Sequence, residues 1–224
     1  MSKVVIVTGG LGALGRIVIH ELAALGWTVA AIDLAPSVSL TDAALVLGDV
    51  DLADSQSVEV AYSTVAKELG KIDAIVNLAG GFVWEPVKQR NIDNWDKMYR
   101  VNLRTAAVSA QSVIPYLSGA GCSILNVGAA VAERPGKGLA AYAASKAGVR
   151  ALTESLAEEL RERRVRVNAI LPTIIDTPAN RRDMPNADRA DWLKPERIAD
   201  AVAFLISDQA SAITGAAIPL SLGG

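Results

Sequence analysis

The chain has 224 residues, 51% of them hydrophobic but only 4% aromatic, so its core must be built from Ala, Val, Leu and Ile. Lys and Arg number 22 against 24 Asp and Glu, a net charge of −2 with no basic run, which argues against a nucleic-acid or anionic-membrane binder. One cysteine, Cys122, excludes an intrachain disulfide and a cysteine zinc site, and one histidine, His20, removes most histidine-based schemes, so no metal site is expected.

Lys3 to Thr8 reads as a strand entering a turn rather than as a secretory leader. Glycines follow, then an apolar-periodic stretch from Leu14 to Leu25, and Trp27 to Ile32 forms a second strand ending at Asp33. A third, short strand is expected near Ala44 to Leu47. Ser55 to Leu69 has helical spacing through Val58, Tyr62 and Val65, with Gly70 as its stop. Ile72 to Leu78 is the fourth strand. Asn94 to Leu117 reads as mostly helical until Pro115 breaks its last turn. Ser123 to Val127 is the fifth strand, Leu139 to Arg163 a long helix and Val165 to Leu171 the sixth strand. A helix from Pro195 to Ser207 precedes a last strand at Ala216 to Leu220.

Near-continuous apolar strands alternating with helices predict an α/β fold. The expected architecture is a single-domain Rossmann-type doubly wound parallel β-sheet over residues 1–224, with helices on both faces. No apolar run reaches the 18 or so residues needed to span a bilayer, so a cytoplasmic protein is expected. Thr173 to Lys194 (173–194) is long, irregular and rich in Pro, Asn, Asp and Arg, which suggests a substrate lid.

Thr8-Gly9-Gly10-Leu11-Gly12-Ala13-Leu14-Gly15 joins the first strand to the first helix. Gly10, Gly12 and Gly15 fit G-x-G-x-x-G, where glycines let the backbone approach a pyrophosphate seated on the helix N-terminus. Asp33 ends the second strand about 20 residues beyond the turn, where a carboxylate accepts hydrogen bonds from ribose hydroxyls and repels a 2′-phosphate. The expected cofactor is therefore NAD(H). Arg16 is a phosphate partner or a solvated helix-face residue. Farther along, Tyr142 and Lys146 are one helical turn apart, so an ammonium beside the phenol is expected to lower its pKa and suit it to acid–base work.

Together these motifs resemble the short-chain dehydrogenase/reductase family, and the resemblance covers almost the whole chain. It implies that Tyr142, Lys146 and Asn102 form the catalytic group, with Asn102 maintaining a proton relay. It also implies that Gly9, Gly12, Ala13, Leu14 and Gly15 bind the cofactor phosphates, and that Asp51 and Leu52 contact the adenine. Asn77, Ala79 and Gly80 resemble the family's N-x-A-G segment at the cofactor. Pro172, Ile175 and Thr177 resemble the segment gripping the nicotinamide and phosphates, although Thr173 stands where the family has glycine. A homodimer or homotetramer built on the long helices, around Ala140 to Leu156, is implied as well.

One departure matters most. The family's catalytic serine falls thirteen residues before the tyrosine, which here is Ala129, and neither Gly128 nor Ala130 carries a hydroxyl. Losing such a donor costs about 3–4 kcal/mol of transition-state stabilisation. Dihydropteridine reductases, a branch that reduces a quinonoid pterin with NADH, resemble this chain in that loss. They are also similar in Gly80-Gly81, in Asp176-Thr177-Pro178-Ala179-Asn180-Arg181 and in Met184 to Trp192. The expected activity is hydride transfer to a small quinonoid, conjugated or carbonyl acceptor with Tyr142 as proton donor. An ordinary ketone/alcohol reductase with a replaced serine and a non-catalytic dinucleotide sensor stay open. Trp84 is read equally as a stacking surface for substrate or a loop anchor, Trp192 as a pin for the lid, and Arg181 and Arg182 as solvated. His20 and Cys122 are read as structural.

Overall fold

Strand β1 (Val4–Thr8) is buried along its whole length and passes through the glycine turn into α1 (Ala13–Ala24). The chain returns as β2 (Thr28–Ile32), then crosses to β3 (Leu45–Leu47) by a loop with no helix. Helix α2 (Ser55–Leu69) starts where the Asp54 carboxylate accepts the Ser57 N–H at 2.9 Å and stops at Gly70, whose φ is +92°. Next come β4 (Ala74–Asn77), α3 (Asp93–Met98), α4 (Thr105–Val113), β5 (Ser123–Val127) and α5 (Ala140–Glu159). The chain closes with β6 (Arg166–Pro172), α6 (Pro178–Asp183), α7 (Pro195–Ile206) and β7 (Ala217–Leu220). This computed structural model describes residues 2–221.

The seven strands form one parallel sheet in the order β3-β2-β1-β4-β5-β6-β7. Side chains alternate faces along each strand, and here both faces are apolar. Val4 and Ile6 of β1 join Val58, Tyr62 and Val65 under α2, while Val5 and Val7 join Ile19, Leu22 and Val202 under α1 and α7. The order reverses between β1 and β4, and the carboxyl ends of strands flanking such a reversal part to leave a crevice. No helix among the described residues is long and apolar enough to cross a membrane.

Two stretches differ from the sequence reading. The helix expected over Asn94–Leu117 stops before Pro115 as read, at Val113, but between α3 and α4 the residues Tyr99–Arg104 form a π-helical turn. Pro115 lies in the short 3-10 turn Ile114–Tyr116 that follows. The segment 173–194 is not irregular throughout: Thr177 accepts the Asn180 N–H and starts α6 with Pro178 in its first turn. Its ends are stitched together, since Leu193 N–H donates to Ile174 O and Asp176 N–H to Leu193 O, both at 2.8 Å. Trp192 is buried under Arg189, whose guanidinium lies 5.6 Å from the ring centre, so the aromatic anchors this segment.

Candidate active site

A cleft of about 600 Å³ opens at the sheet reversal. Its floor is the glycine turn. Gly9 adopts φ +66°, and a β-carbon on Gly15 would lie 2.3 Å from the Gly9 carbonyl oxygen, so turn and helix are in backbone contact. Helix α1 begins at Gly12 with no side-chain cap and no acid in its first turn. Its first N–H groups therefore stand without a protein acceptor at the helix's positive end, beside the cleft that Gly12, Ala13, Leu14 and Gly15 line. Asp33 lines it as well, its carboxylate held by Leu11 N–H at 2.9 Å and Ala35 N–H at 3.0 Å. Each oxygen keeps a second lone pair for a further donor. An uncapped helix end for a diphosphate and a fixed carboxylate for ribose hydroxyls fit a nicotinamide dinucleotide.

Gly80 lines the cleft, and behind it Asn102, Gly81, Ser145 and Lys146 converge, whereas Tyr142, Lys146 and Asn102 do not themselves line it. The Asn102 side chain is buried: Oδ1 accepts the Gly81 N–H at 2.9 Å, and Nδ2 donates to Gly81 O at 3.1 Å and Ser145 Oγ at 3.0 Å. A β-carbon on Gly80 would meet Asn102 Oδ1 at 2.8 Å and Lys146 Nζ at 3.3 Å, which is why only glycine suits this wall. Lys146 is itself buried and donates to Val127 O at 2.8 Å. Phe82 packs edge-on against the Tyr142 ring, with centroids 5.0 Å apart at 81°.

The electrostatics correct one expectation. Burial pushes the Tyr142 phenol up to about 12 rather than down, and pushes the Lys146 ammonium down to about 8. A four-residue spacing puts the two on one helical face, but it does not reveal that both leave water. The phenol is thus held protonated at neutral pH, as a proton donor must be.

Other residues fall elsewhere than the motifs suggest. Asn77 is buried beneath the sheet rather than on the cleft wall. Its Nδ2 donates to Asn126 Oδ1 at 2.9 Å, and its Oδ1 accepts from Ser109 Oγ at 2.5 Å. The chain of bonds runs on from Ser109 to the Tyr62 hydroxyl at 2.6 Å, and from Asn126 Nδ2 to Thr153 Oγ1 at 2.9 Å. Pro172 ends β6 in the interior, and Ile175 packs in the core beneath α1 and α7, while Thr177 and Ala179 do reach the cleft. Leu52, Ala79 and Gly80 line it as expected. Asp51 does too, but with Oδ2 bound to Arg100 Nη2 at 2.5 Å. Trp84 is a loop anchor: its Nε1–H donates to Lys137 O at 3.0 Å, and a β-carbon on Gly138 would lie 2.4 Å from its ring. Arg181 is exposed, as read, and also bidentate to Asp176 at 2.5 and 2.7 Å, which holds that carboxyl below its usual range. His20 is exposed and pairs with Asp42, and Cys122 is buried.

At Ala129, buried and extended at the head of a 3-10 turn, no hydroxyl is present. The nearest candidate in sequence to the tyrosine, Ser145, is already committed, donating to Tyr142 O at 2.7 Å while accepting from Asn102.

Residues 3–188 match the short chain dehydrogenase family profile. The chain is a short-chain dehydrogenase/reductase. Similar members of the family include the D-threitol dehydrogenase of Mycolicibacterium smegmatis, 33% identical over 99% of this chain and 92% of that one. The 3-oxoacyl-[acyl-carrier-protein] reductase of Thermotoga maritima is 32% identical over 99% and 97%. Among solved structures, a short-chain dehydrogenase/reductase from Serratia marcescens superimposes with TM-score 0.87 at 31% identity, covering 97% of this chain and 96% of that one. A blue fluorescent protein from a metagenomic library, solved in complex with NADPH, superimposes with TM-score 0.86 at 28% identity, covering 99% and 97%. This short-chain dehydrogenase/reductase is therefore an oxidoreductase of the nicotinamide-dependent kind.

Proposed function

We propose that this enzyme uses NADH to reduce a quinonoid or conjugated small molecule, in the manner of the dihydropteridine reductases. The observation that carries the reading is the missing hydroxyl at Ala129, which Ser145 does not replace because its hydroxyl is consumed inside the protein. A ketone accumulates charge on its oxygen during reduction and needs a fixed donor there. A quinonoid acceptor spreads that charge over its ring system as it regains conjugation, so one donor suffices. Phe82, half-exposed and edge-on to the Tyr142 ring, offers flat apolar surface for such a ring.

A nicotinamide dinucleotide held by the glycine turn and Asp33 would supply the hydride. Tyr142, protonated at neutral pH, delivers the proton through its phenolic O–H. Lys146, placed by Val127 O, carries its ammonium one helical turn from Tyr142 and is a donor for ribose hydroxyls. Asn102 ties Gly81 to α5, the helix that carries Tyr142 and Lys146. Asp33 favours NADH, since a 2′-phosphate would meet its carboxylate. The exposed small residues Ala144, Ala147 and Ala151 along α5 suit a flat helix–helix contact between protomers, as dimer or tetramer.

A second reading is favoured by relatives named as alcohol dehydrogenases: carbonyl–alcohol interconversion with a donor carried by the substrate itself. Steady-state assays with NADH and NADPH on quinonoid dihydropterin, quinones and ketones separate the two. The proposal expects turnover of conjugated acceptors with NADH, and its near-abolition in Tyr142→Phe with NADH affinity kept. Reduction of ketones alone, or undiminished turnover by Tyr142→Phe, overturns it. A preference for NADPH removes the role given to Asp33. Under the second reading Ala129→Ser raises ketone turnover.

A further inference from the structure

Arg100 belongs to no motif, yet it stands on the cleft wall beside Asp51, Leu52, Ala53 and Val101. It comes from the π-helical turn Tyr99–Arg104, whose register points Arg100 and Arg104 toward the same target. Arg100 Nη2 binds Asp51 Oδ2 at 2.5 Å, and Arg104 Nε binds Ala53 O at 2.8 Å. The other Asp51 oxygen accepts the Ala53 N–H at 2.9 Å. The turn Asp51–Ala53 is thereby gripped at both ends by one helical segment.

An ion pair this open does little to hold the fold: the Arg100 side chain is 53% exposed and that of Asp51 41%. What the pair does accomplish is local. It fixes a carboxylate in the cleft and spreads a planar cation next to it, between the apolar walls of Val50, Leu52 and Ala53. A flat, neutral heteroaromatic with an exocyclic amine matches that set. The amine finds the carboxylate as acceptor, and the ring finds aliphatic walls and a guanidinium face. This wall shares its cleft with the glycine turn and Asp33, the groove that would hold a dinucleotide.

Resting on the dinucleotide reading above, we infer that Arg100 is a cofactor-binding residue that seats the adenine, by fixing Asp51 and by presenting its guanidinium to the base. The opposite possibility is that Arg100 occupies Asp51 and must be displaced by adenine. The two differ in sign.

Calorimetric binding of 5′-AMP, NADH and reduced nicotinamide mononucleotide to wild type, Arg100→Ala and Arg100→Lys needs no turnover. Arg100→Ala is expected to weaken 5′-AMP and NADH by the same factor, about tenfold, and to leave the mononucleotide unchanged. Arg100→Lys keeps the charge but not the flat fork, and recovers only part of the loss. Unchanged or tighter 5′-AMP binding by Arg100→Ala overturns the inference, as does an equal loss for the mononucleotide. Wild type that binds none of the three would instead overturn the dinucleotide reading itself.

Discussion

Lys146 should make the folded protein less stable than it could be, and the amount follows from its surroundings. Its ammonium is buried, and burial lowers its pKa from the ordinary 10.5 to about 8. At about 1.4 kcal/mol per pH unit, that drop corresponds to about 3 kcal/mol spent on desolvating the charge. Below pH 8 the lysine is charged in both folded and unfolded chains, so the full penalty applies. Between pH 8 and 10.5 the unfolded chain holds the proton that the folded one releases, and stability rises with pH. Above 10.5 both are neutral and the penalty is gone. Lys146→Met removes the charge but strands the Val127 carbonyl, which accepts from Nζ at 2.8 Å, at a cost of about 1 kcal/mol. The variant should therefore be more stable than wild type by about 2 kcal/mol at pH 7, or about 4–8 °C in Tm for a chain of this size. By pH 10 the advantage should have vanished. Urea denaturation of both proteins from pH 7 to pH 10 measures the difference, and Tyr142 cancels from it because both proteins carry that phenol. A stability difference that stays flat across this range, or a variant weaker than wild type at pH 7, refutes the reasoning.

Two further perturbations test the surroundings of the site. Gly15→Ala forces a β-carbon to within 2.3 Å of the Gly9 carbonyl oxygen and 2.8 Å of Gly10 Cα, both backbone atoms that cannot swing aside. Thermal melts with and without NADH should show a loss of about 1–3 kcal/mol and no stabilisation by the cofactor. Ser109→Ala strands the Tyr62 hydroxyl and Asn77 Oδ1 in the core, a loss of about 2–4 kcal/mol by chemical denaturation. Adding Tyr62→Phe removes one orphaned group, so the double variant should be more stable than Ser109→Ala alone.

The fold was legible because its strands are apolar on both faces and its helices carry local start and stop signals. Asp54 and Gly70 delimit α2, and β5 is a short apolar run bounded by a glycine on either side. The glycine turn, Asp33, Tyr142, Lys146 and Asn102 were legible as spacings. What escaped is set by tertiary contact. The π-helical register at Tyr99–Arg104 leaves no mark in residue periodicity, so neither it nor the aim of Arg100 could be read. The hydrogen-bonded series Tyr62, Ser109, Asn77, Asn126 and Thr153 draws on five separate elements, and it claims an asparagine that the motif assigns to the cofactor. Burial was also invisible to spacing, which is why the phenol's pKa was expected to move the wrong way. The lid helix did have a signal, Thr177 followed by Pro178, but six residues give too little periodicity to stand out.

The seat of Trp84 on Gly138 has a consequence for re-engineering the enzyme. The indole fills the space that a side chain at position 138 would need, and the Glu85 N–H is joined to the Gly138 carbonyl at 2.8 Å. The two loops therefore behave as interlocking parts. Exchanging one for a relative's sequence would leave the other propped against a shape that no longer exists, whereas transplanting both together preserves the joint. Altered substrate preference in this scaffold should come from paired changes across that seam.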